Sequence, residues 1–322
     1  NPENVIIKTD VTTSLIQKIA DENKIRCIGN LLVGFKYIGD LMNKLERENK
    51  IEHFILGTEE SHGYLMGNYA RDKDAACAAM WISEHAAELK KKNKTLLDDL
   101  AEIYARYGYC HNYLTEIRLL GAKGMEQIMF IMNHLRNSRI DSFGDFKVRR
   151  KIDRRDGEPQ PHLSRTDSSA RNMLIYAMED TADTTGMRMT VRPSGTEPKI
   201  KMYFEVFGKP FKLENIDSEK ERVINIRRNL EKSVMQYCYQ LLDVDFPDRG
   251  FLLFWQLPLN DKLKYFEIED EITRLKSVSD EKERKEKLFA LLEFLGANPI
   301  EKVNKAFKEK FNRGILEYLE LS

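Results

Sequence analysis

The chain has 322 residues, of which 42% are hydrophobic and 32% are charged, which predicts two or three domains with real cores. The longest apolar runs are too short to span a bilayer, so no membrane partner is expected. Because 52 basic residues balance 52 acidic ones, the formal net charge is zero, which argues against a general nucleic-acid partner. The four cysteines are scattered and form no C-x-x-C pair, so we expect reduced, mostly buried thiols in a cytoplasmic protein.

The first third of the chain alternates short apolar runs with amphipathic stretches. We predict strands at residues 5–7, 26–28 and 53–56, and helices at residues 14–20 and 35–48. Strands that alternate with helices are typical of a parallel or mixed sheet. Residues 1–121 are therefore predicted to form an α/β domain with a mixed sheet.

Two further helices are predicted in this domain. Asp74 is a good N-cap for a long helix, in which Cys77, Trp81, His85 and Leu89 fall near one face. His85 is accordingly expected at a core or boundary position and not as a ligand. A second amphipathic helix spans residues 95–107 and is closed by a glycine.

The pattern changes after residue 121. Helices at residues 125–135 and 220–242 flank strands predicted from residue 146 onward, at 172–178, and around a turn at 183–186. Residues 122–245 are therefore predicted to form an α+β domain with an antiparallel sheet and flanking helices. Residues 246–322 form a helical carboxyl-terminal extension, in which Gly296 ends one helix and Asn298, Pro299 and Glu301 begin the next with capping-box spacing. Its charged residues are expected on solvated faces.

One loop in the α+β domain combines donors suited to phosphate. It lies between the alternating runs 187–191 and 200–206. A guanidinium offers a planar fork to phosphate oxygens, and hydroxyls and backbone amides add neutral donors. The donors are Arg192, Ser194, Gly195, Thr196, Lys199 and Lys201. A charged turn is the alternative, but two prolines and so many donors in a short stretch favour a phosphate site.

A second loop, at residues 57–63, follows the predicted strand at 53–56. Ligands of open α/β sheets bind beyond the carboxyl ends of strands, where this loop belongs. Two carboxylates, Glu59 and Glu60, and the Ser61 hydroxyl suit hydrogen bonding to sugar hydroxyls. An acidic turn is an equally good interpretation of the loop alone. Lys73 is predicted to lie near it.

Both loops resemble motifs of the α-D-phosphohexomutases, the phosphoglucomutase/phosphomannomutase superfamily. The stretches are EESHG at residues 59–63 and RPSGTEPK at 192–199, with RDKD at 71–74 and GFKYI at 34–38 as further matches. Their order and spacing are similar to those of the third and fourth domains of that family. The resemblance covers roughly residues 5–245.

The resemblance implies reversible transfer of phosphate between the 1- and 6-positions of a hexose phosphate. The family uses a phosphoserine, Mg²⁺ and a hexose 1,6-bisphosphate intermediate. Sugar contacts would come from Gly34, Lys36, Glu59 and Ser61. The non-reacting phosphate would be bound by Arg192, Ser194, Gly195 and Thr196 with help from Lys199 or Lys201, and Lys73 is a candidate for charge or proton management.

This sequence departs from the family in two ways. Val33 stands where the family commonly has threonine, which affects one sugar contact. No serine-nucleophile loop or Asp-x-Asp-x-Asp metal loop is found, so the chain resembles the carboxyl-terminal half of such an enzyme. We therefore expect missing amino-terminal domains as its partner, and no metal, bound cofactor or mutase activity in this part alone. A non-catalytic sugar-phosphate-binding or regulatory protein is the alternative, and the extension is compatible with a docking role in either case.

Overall fold

The computed structural model of the chain describes residues 3–119, 121–156, 163–195, 197–253 and 257–321. The strands are β1 (Val5–Thr9), β2 (Arg26–Leu31), β3 (Phe54–Glu59), β4 (Gly63–Met66), β5 (Cys110–Arg118), β6 (Ser142–Phe143), β7 (Phe146–Asp153), β8 (Leu174–Met178), β9 (Thr184–Pro193) and β10 (Lys199–Gly208). The helices are α1 (Leu15–Glu22), α2 (Phe35–Arg47), α3 (Ala75–Lys91), α4 (Leu96–Tyr107), α5 (Gly121–Asn137), α6 (Asp167–Ala170), α7 (Ile216–Gln240), α8 (Leu259–Arg274), α9 (Glu281–Leu292), α10 (Pro299–Phe311) and α11 (Ile315–Tyr318).

The first sheet has four strands in the order β2-β1-β3-β4. β1 is parallel to both β2 and β3, whereas β4 is antiparallel to β3. α1 connects β1 to β2, and α2 connects β2 to β3. These βαβ connections and the antiparallel edge strand confirm the predicted α/β domain with a mixed sheet.

The core of this sheet is built on α2. Phe35, Ile38 and Met42 follow helical spacing and are buried with Ile7 of β1 and Phe54 of β3. β3 extends beyond the predicted 53–56, because its later residues pair with both β1 and β4. The longer β3 therefore ends at a residue with a carboxylate side chain, Glu59.

The helical hairpin α3–α4 begins as predicted. The Asp74 carboxylate accepts hydrogen bonds from the backbone N–H groups of Ala76 at 2.8 Å and Cys77 at 3.2 Å. Thr95 and Asp98 form a capping box at the start of α4. Both helices therefore start at side chains that satisfy otherwise unpaired backbone donors.

The prediction of one buried face on α3 is wrong for the middle of the helix. Cys77 and Leu89 are buried, but Trp81 and His85 are exposed. His85 is neither a core nor a boundary residue, and its Nε2 lies 2.9 Å from a carboxylate oxygen of Asp99 on α4. Helical spacing shows which side chains share a side of a helix, but it does not show whether another element covers that side.

The second sheet has six strands in the order β5-β10-β9-β8-β7-β6. The pairs β6/β7, β7/β8 and β8/β9 are antiparallel. In the sequence, α5 lies between β5 and β6, and α7 follows β10. The predicted α+β domain with an antiparallel sheet and flanking helices is confirmed. β9 starts within the turn predicted at 183–186, and β8 starts two residues after the predicted 172, so these boundaries were misplaced.

Helices form the carboxyl-terminal extension, as predicted. Side chains from α8 to α11 share one core that includes Tyr265, Leu288 and Phe307. Gly296 has a φ of +67° and ends the helical turn before it, and Pro299 occupies the first turn of α10. The capping box predicted from Asn298 does not form, because Asn298 adopts a left-handed conformation and its side chain caps nothing.

The expectation that the charged residues of the extension lie on solvated faces fails at two positions of α8. Lys262 and Glu269, both on α8, are each 2% exposed. Burial lowers the pKa of Lys262 to about 8. Glu269 is surrounded by Arg249, Lys310 and Tyr265. Charge patterns in sequence indicate solvation on average, but they do not reveal partners that only folding provides.

Two compact units make up the chain. One consists of Asn1–Leu114, Ile140–Gly195 and Tyr203–Leu230, and the other of Thr115–Arg139, Thr196–Met202 and Glu231–Ser322. The first contains the four-stranded sheet, and the second contains the helical extension. The domain boundaries predicted after residues 121 and 245 stay predictions.

All four cysteines are free thiols, and three of them, Cys77, Cys110 and Cys238, are buried. This agrees with the expectation from their spacing. Within the described ranges, no helix combines the length and the apolar character needed to cross a bilayer.

Candidate functional site

The acidic loop joins β3 to β4 at the carboxyl end of β3. Glu59 is the last residue of β3 and is buried, while Ser61 is exposed in the turn. Lys73 donates from Nζ to Glu59 Oε1 at 2.7 Å and to the Ser61 carbonyl oxygen at 3.2 Å. The structure therefore brings together three residues predicted to serve the sugar site.

The charges of this loop are arranged around the Glu59 carboxylate. Its hydrogen bond to Lys73 raises the pKa of the lysine ammonium above its ordinary value. Within the described part of the chain, Glu59 Oε1 has a hydrogen-bond donor and Oε2 has none. The Lys73 side chain is 41% exposed, so its remaining N–H groups face solvent. The pair thus offers an acceptor and a donor to a polyhydroxylated ligand.

Gly63 is required by the packing of Glu59. A Cβ built at Gly63 would lie 2.3 Å from Glu59 Cγ, whereas a Cβ at Gly195 meets no atom within 4 Å. We expect Gly63→Ala to destabilise the chain by about 1–3 kcal/mol, because the buried carboxylate must move. Gly195→Ala is the control and should change stability little. Thermal denaturation of both variants measures this, and equal melting temperatures would contradict the role given to Gly63.

Gly34 and Lys36 lie at the start of α2. Gly34 precedes the helix with a φ of +133°, a conformation that glycine adopts at least cost. Lys36 donates from Nζ to Ser164 Oγ at 2.6 Å and to Thr166 Oγ1 at 3.1 Å, and it forms an ion pair with Asp167. The ammonium predicted to contact a sugar is therefore held by a segment more than 120 residues away in sequence.

Asp167 is a residue that sequence reasoning missed. It is fully buried and also accepts a hydrogen bond from Tyr37 Oη at 2.6 Å and from the Ser164 N–H at 2.9 Å. Burial by itself opposes its ionisation, but the bonds from Lys36 and Tyr37 hold the pKa of Asp167 well below its usual range. No local motif marks Asp167, since its partners on α2 become neighbours only in the folded chain.

The predicted phosphate loop follows β9. Arg192 is half-buried near the end of that strand, Ser194 is half-buried after it, and Gly195 is exposed. Among the described residues, the Arg192 guanidinium has no hydrogen-bond or ion-pair partner. Its donors therefore remain available for an anion. Thr196, the fourth predicted ligand, lies outside the described residues.

Lys199 and Lys201 open β10 and differ in their surroundings. Lys199 is buried and pairs with Glu116 at 3.0 Å and Glu197 at 2.6 Å. Burial lowers the pKa of Lys199, but the hydrogen bonds that its ammonium donates to the two carboxylates outweigh this effect and raise the pKa. Lys201 is half-buried and makes no hydrogen bond to another side chain within the described residues. Lys199 is thus already neutralised by two acidic side chains.

A metal would need oxygen or nitrogen ligands in a cluster. Within the described residues, no group of three or more His, Cys, Asp or Glu side chains is placed to hold an ion. No step is assigned to a metal in this chain.

Two family models match the chain. Residues 1–107 match the phosphoglucomutase/phosphomannomutase alpha/beta/alpha domain III, and residues 155–220 match the phosphoglucomutase/phosphomannomutase C-terminal domain. Both loops described above lie within these ranges. The helical extension lies beyond the second match.

Curated relatives show the same relationship. A phosphoglucomutase of Staphylococcus saprophyticus is 30% identical over 216 residues, which are 66% of this chain and 37% of that protein. A phosphoglucomutase of Staphylococcus aureus is 32% identical over 204 residues, 62% of this chain and 35% of that protein. The chain spans little more than a third of the length of these relatives.

A solved structure is similar over part of the chain. It is the exocytosis-sensitive phosphoprotein pp63/parafusin, a phosphoglucomutase from Paramecium, in an open form, with 18% identity and a TM-score of 0.49 over 76% of this chain and 39% of that one. The two family models and the curated relatives indicate the same family, and the third-domain match precedes the C-terminal-domain match in the chain. The chain belongs to the phosphoglucomutase/phosphomannomutase family and corresponds to its third and carboxyl-terminal domains.

Proposed function

We propose that this chain is the carboxyl-terminal part of a phosphohexomutase. The full-length enzyme would interconvert the 1- and 6-phosphates of a hexose, glucose or mannose, through a phosphoserine and a bisphosphorylated sugar. This chain supplies sugar recognition and phosphate anchoring. The observation that carries the proposal is the half-buried Arg192 guanidinium, which has no partner among the described residues, in a loop of further donors.

Phosphate anchoring follows from the chemistry of that loop. A guanidinium binds two phosphate oxygens at once, and the backbone of Gly195 is open to close approach. Ser194 and Thr196 would add hydroxyl donors. Because the anchored phosphate does not react, its binding energy positions the other end of the sugar. Lys201 adds positive charge, whereas the charge of Lys199 is balanced by Glu116 and Glu197.

Sugar recognition is assigned to the acidic loop. Glu59 Oε2 would accept from a sugar hydroxyl, and Ser61 would exchange hydrogen bonds with a second one. Lys73 holds Glu59 in place and is the candidate to manage charge near a reacting oxygen. Gly34 and Lys36 would complete the sugar contacts once the Lys36 ammonium exchanges its present partners for hydroxyls.

The phosphoserine and Mg²⁺ are assigned to the part of the enzyme that this chain does not match in its relatives. A cytoplasmic location is proposed from the free thiols. The chain alone is then a binding module whose ligand is a hexose phosphate or its bisphosphate.

Binding without turnover is the expected behaviour of the purified chain. With glucose 1-phosphate and glucose 1,6-bisphosphate, a coupled assay should detect no mutase activity, because we assign the phosphoryl-transfer centre to the part of the enzyme that this chain does not match. Isothermal titration with the bisphosphate should detect binding that Arg192→Ala weakens at least tenfold. Lys212→Ala, a change at a solvent-exposed lysine, is the control. Turnover by the chain alone, or binding unchanged in Arg192→Ala, would refute the assignment.

A further inference from the structure

A cavity of about 370 Å³ lies within the compact unit that contains the helical extension. Its wall comes from Arg118 at the end of β5, the start of α8, the turn before α10 and the first turn of α10. The volume is within the range of small-molecule sites. All the lining residues lie outside residues 1–107 and 155–220, which match the family models, so those matches assign the cavity no role.

Two carboxylates line the cavity without a protein partner. Asp261 is half-buried in the first turn of α8, and Glu301 is exposed in the first turn of α10. Neither side chain accepts a hydrogen bond or forms an ion pair within the described ranges. Burial raises the pKa of Asp261 above its ordinary value, although Lys264 and Lys302 oppose this effect. A half-buried carboxylate without a donor is suited to a cationic group of a ligand.

Two cations line the same cavity and are held in place by the protein. The Lys302 ammonium donates a hydrogen bond to the Leu295 carbonyl oxygen. Arg118 donates from Nε to Glu116 Oε2 at 3.1 Å, and the buried Glu116 also pairs with Lys199 at 3.0 Å. Since an ammonium carries three N–H groups, Lys302 can bind an anionic group of a ligand without losing its present bond. The cavity therefore presents both signs of charge to a ligand.

An apolar hollow adjoins the cavity. It has a volume of about 530 Å³, shares Asn298 and Glu301 with the cavity, and adds Phe289, Pro299 and Ile300. Phe289 is 42% exposed, so its ring is available to a ligand. A ligand that fills both spaces therefore needs charged groups at one end and an apolar group at the other.

We propose that the cavity and the hollow form a binding site for a free α-amino acid with a large apolar side chain. Its ammonium group lies against Asp261 and Glu301, and its carboxylate lies against Lys302 and Arg118. Its side chain packs on Phe289 in the hollow. The inference is independent of the proposed function, which uses other residues.

The charges of the cavity favour this zwitterion over other small ligands. A nucleotide or a sugar bisphosphate would place several anionic groups against the two unpartnered carboxylates. A polyamine would place ammonium groups against Arg118 and Lys302. Because like charges in contact oppose binding, each of these ligands meets repulsion that an amino acid avoids.

Isothermal titration of the full chain with L-phenylalanine tests the site. We expect saturable binding, and binding at least tenfold weaker for glycine, which has no side chain to fill the hollow. The double variant Asp261→Asn/Glu301→Gln removes the charge opposite the ammonium group and should weaken phenylalanine binding at least tenfold. Asp270→Asn/Glu309→Gln, at exposed positions of the same two helices, is the matched control and should bind normally.

The carboxylate of the ligand is tested in the same way. Lys302→Met should weaken phenylalanine binding at least tenfold, and Lys308→Met, at an exposed lysine of α10, is its control. Phenylpropanoate lacks the ammonium group of phenylalanine, so its binding should be weaker in the wild type and should not weaken further in Asp261→Asn/Glu301→Gln. Circular dichroism should show that this double variant folds, because its two side chains make no hydrogen bond in the described structure.

Three results would overturn the proposal. The first is no saturable binding of L-phenylalanine by the wild-type chain. The second is equal phenylalanine binding by the wild type and Asp261→Asn/Glu301→Gln, which keeps the test decisive even if Lys302→Met fails to fold. The third is binding of glycine or phenylpropanoate as tight as that of phenylalanine, since the hollow or the carboxylates would then have no part in recognition.

Discussion

Replacing Arg192 with alanine in the proposed full-length phosphohexomutase is expected to lower kcat/KM about 100-fold. Two charge-assisted hydrogen bonds to the non-reacting phosphate would be lost, each worth about 1.5–3 kcal/mol. Most of the effect should appear in KM, because substrate and transition state share this contact. The bisphosphate intermediate should also escape more often, which raises the requirement for added glucose 1,6-bisphosphate. Steady-state kinetics at several bisphosphate concentrations measure both effects.

Two further variants test whether the planar guanidinium of Arg192 matters beyond its positive charge. Arg192→Lys keeps the positive charge but loses the planar fork, so it should recover only part of the loss. Lys212→Ala removes a lysine that is 83% exposed and should leave the kinetics unchanged. Wild-type kcat and KM in Arg192→Ala would exclude phosphate anchoring by this residue.

The proposed site was recognisable in the sequence where its parts are contiguous. The stretches at residues 59–63 and 192–199 combine donors or acceptors with glycine and proline within a few positions, which an ordinary turn does not require. The proximity of Lys73 to the acidic loop was also predicted, but its hydrogen bond to Glu59 was seen only in the structure. Asp167 was not predictable, since its partners on α2, Tyr37 and Lys36, are 130 and 131 residues away and no spacing rule connects them.

The fold was predictable to a similar degree. Alternation placed β9 and β10, and helical spacing placed α2 and α7 within a few residues of their bounds. Periodicity failed at α3, where Trp81 and His85 share a side that no described element buries. It also failed in α8, where a buried charge depends on partners 20 and 41 residues away. Local sequence patterns indicate which residues share one side of a helix or strand. Only the tertiary structure shows whether another element covers that side.

Arg249→Met is expected to destabilise the helical extension by about 3–5 kcal/mol, the usual cost of removing one member of a buried ion pair. Glu269 is 2% exposed and accepts bonds from Arg249 at 2.5 Å, Lys310 at 2.9 Å and Tyr265 at 2.9 Å. Without the guanidinium, much of the carboxylate charge loses its compensation. Urea denaturation, combined with hydrogen exchange of α8 and α10, measures the loss and locates it.

The Glu269 carboxylate should also make the stability of the helical extension depend on pH. Burial raises the pKa of Glu269, but the bonds from Arg249, Lys310 and Tyr265 outweigh burial and lower it overall. Its contribution to stability is therefore complete above the unfolded-state pKa of about 4.3 and is lost as pH falls through the lower folded-state value. Lowering the pH through this range should thus reduce the difference in free energy of unfolding between the wild type and Arg249→Met.

The double variant Arg249→Met/Glu269→Leu distinguishes a specific ion pair from general packing. With both charges gone, the site becomes apolar and no buried charge remains, since Lys310 is 41% exposed and can turn to solvent. Most of the stability lost in Arg249→Met should return, as it does when buried ion pairs are replaced by apolar residues of similar volume. If the losses of stability in the two single variants simply add in the double variant, Arg249 does not act through Glu269. It would then act through its packing on Phe266, whose ring centre lies 4.8 Å from Arg249 Cζ.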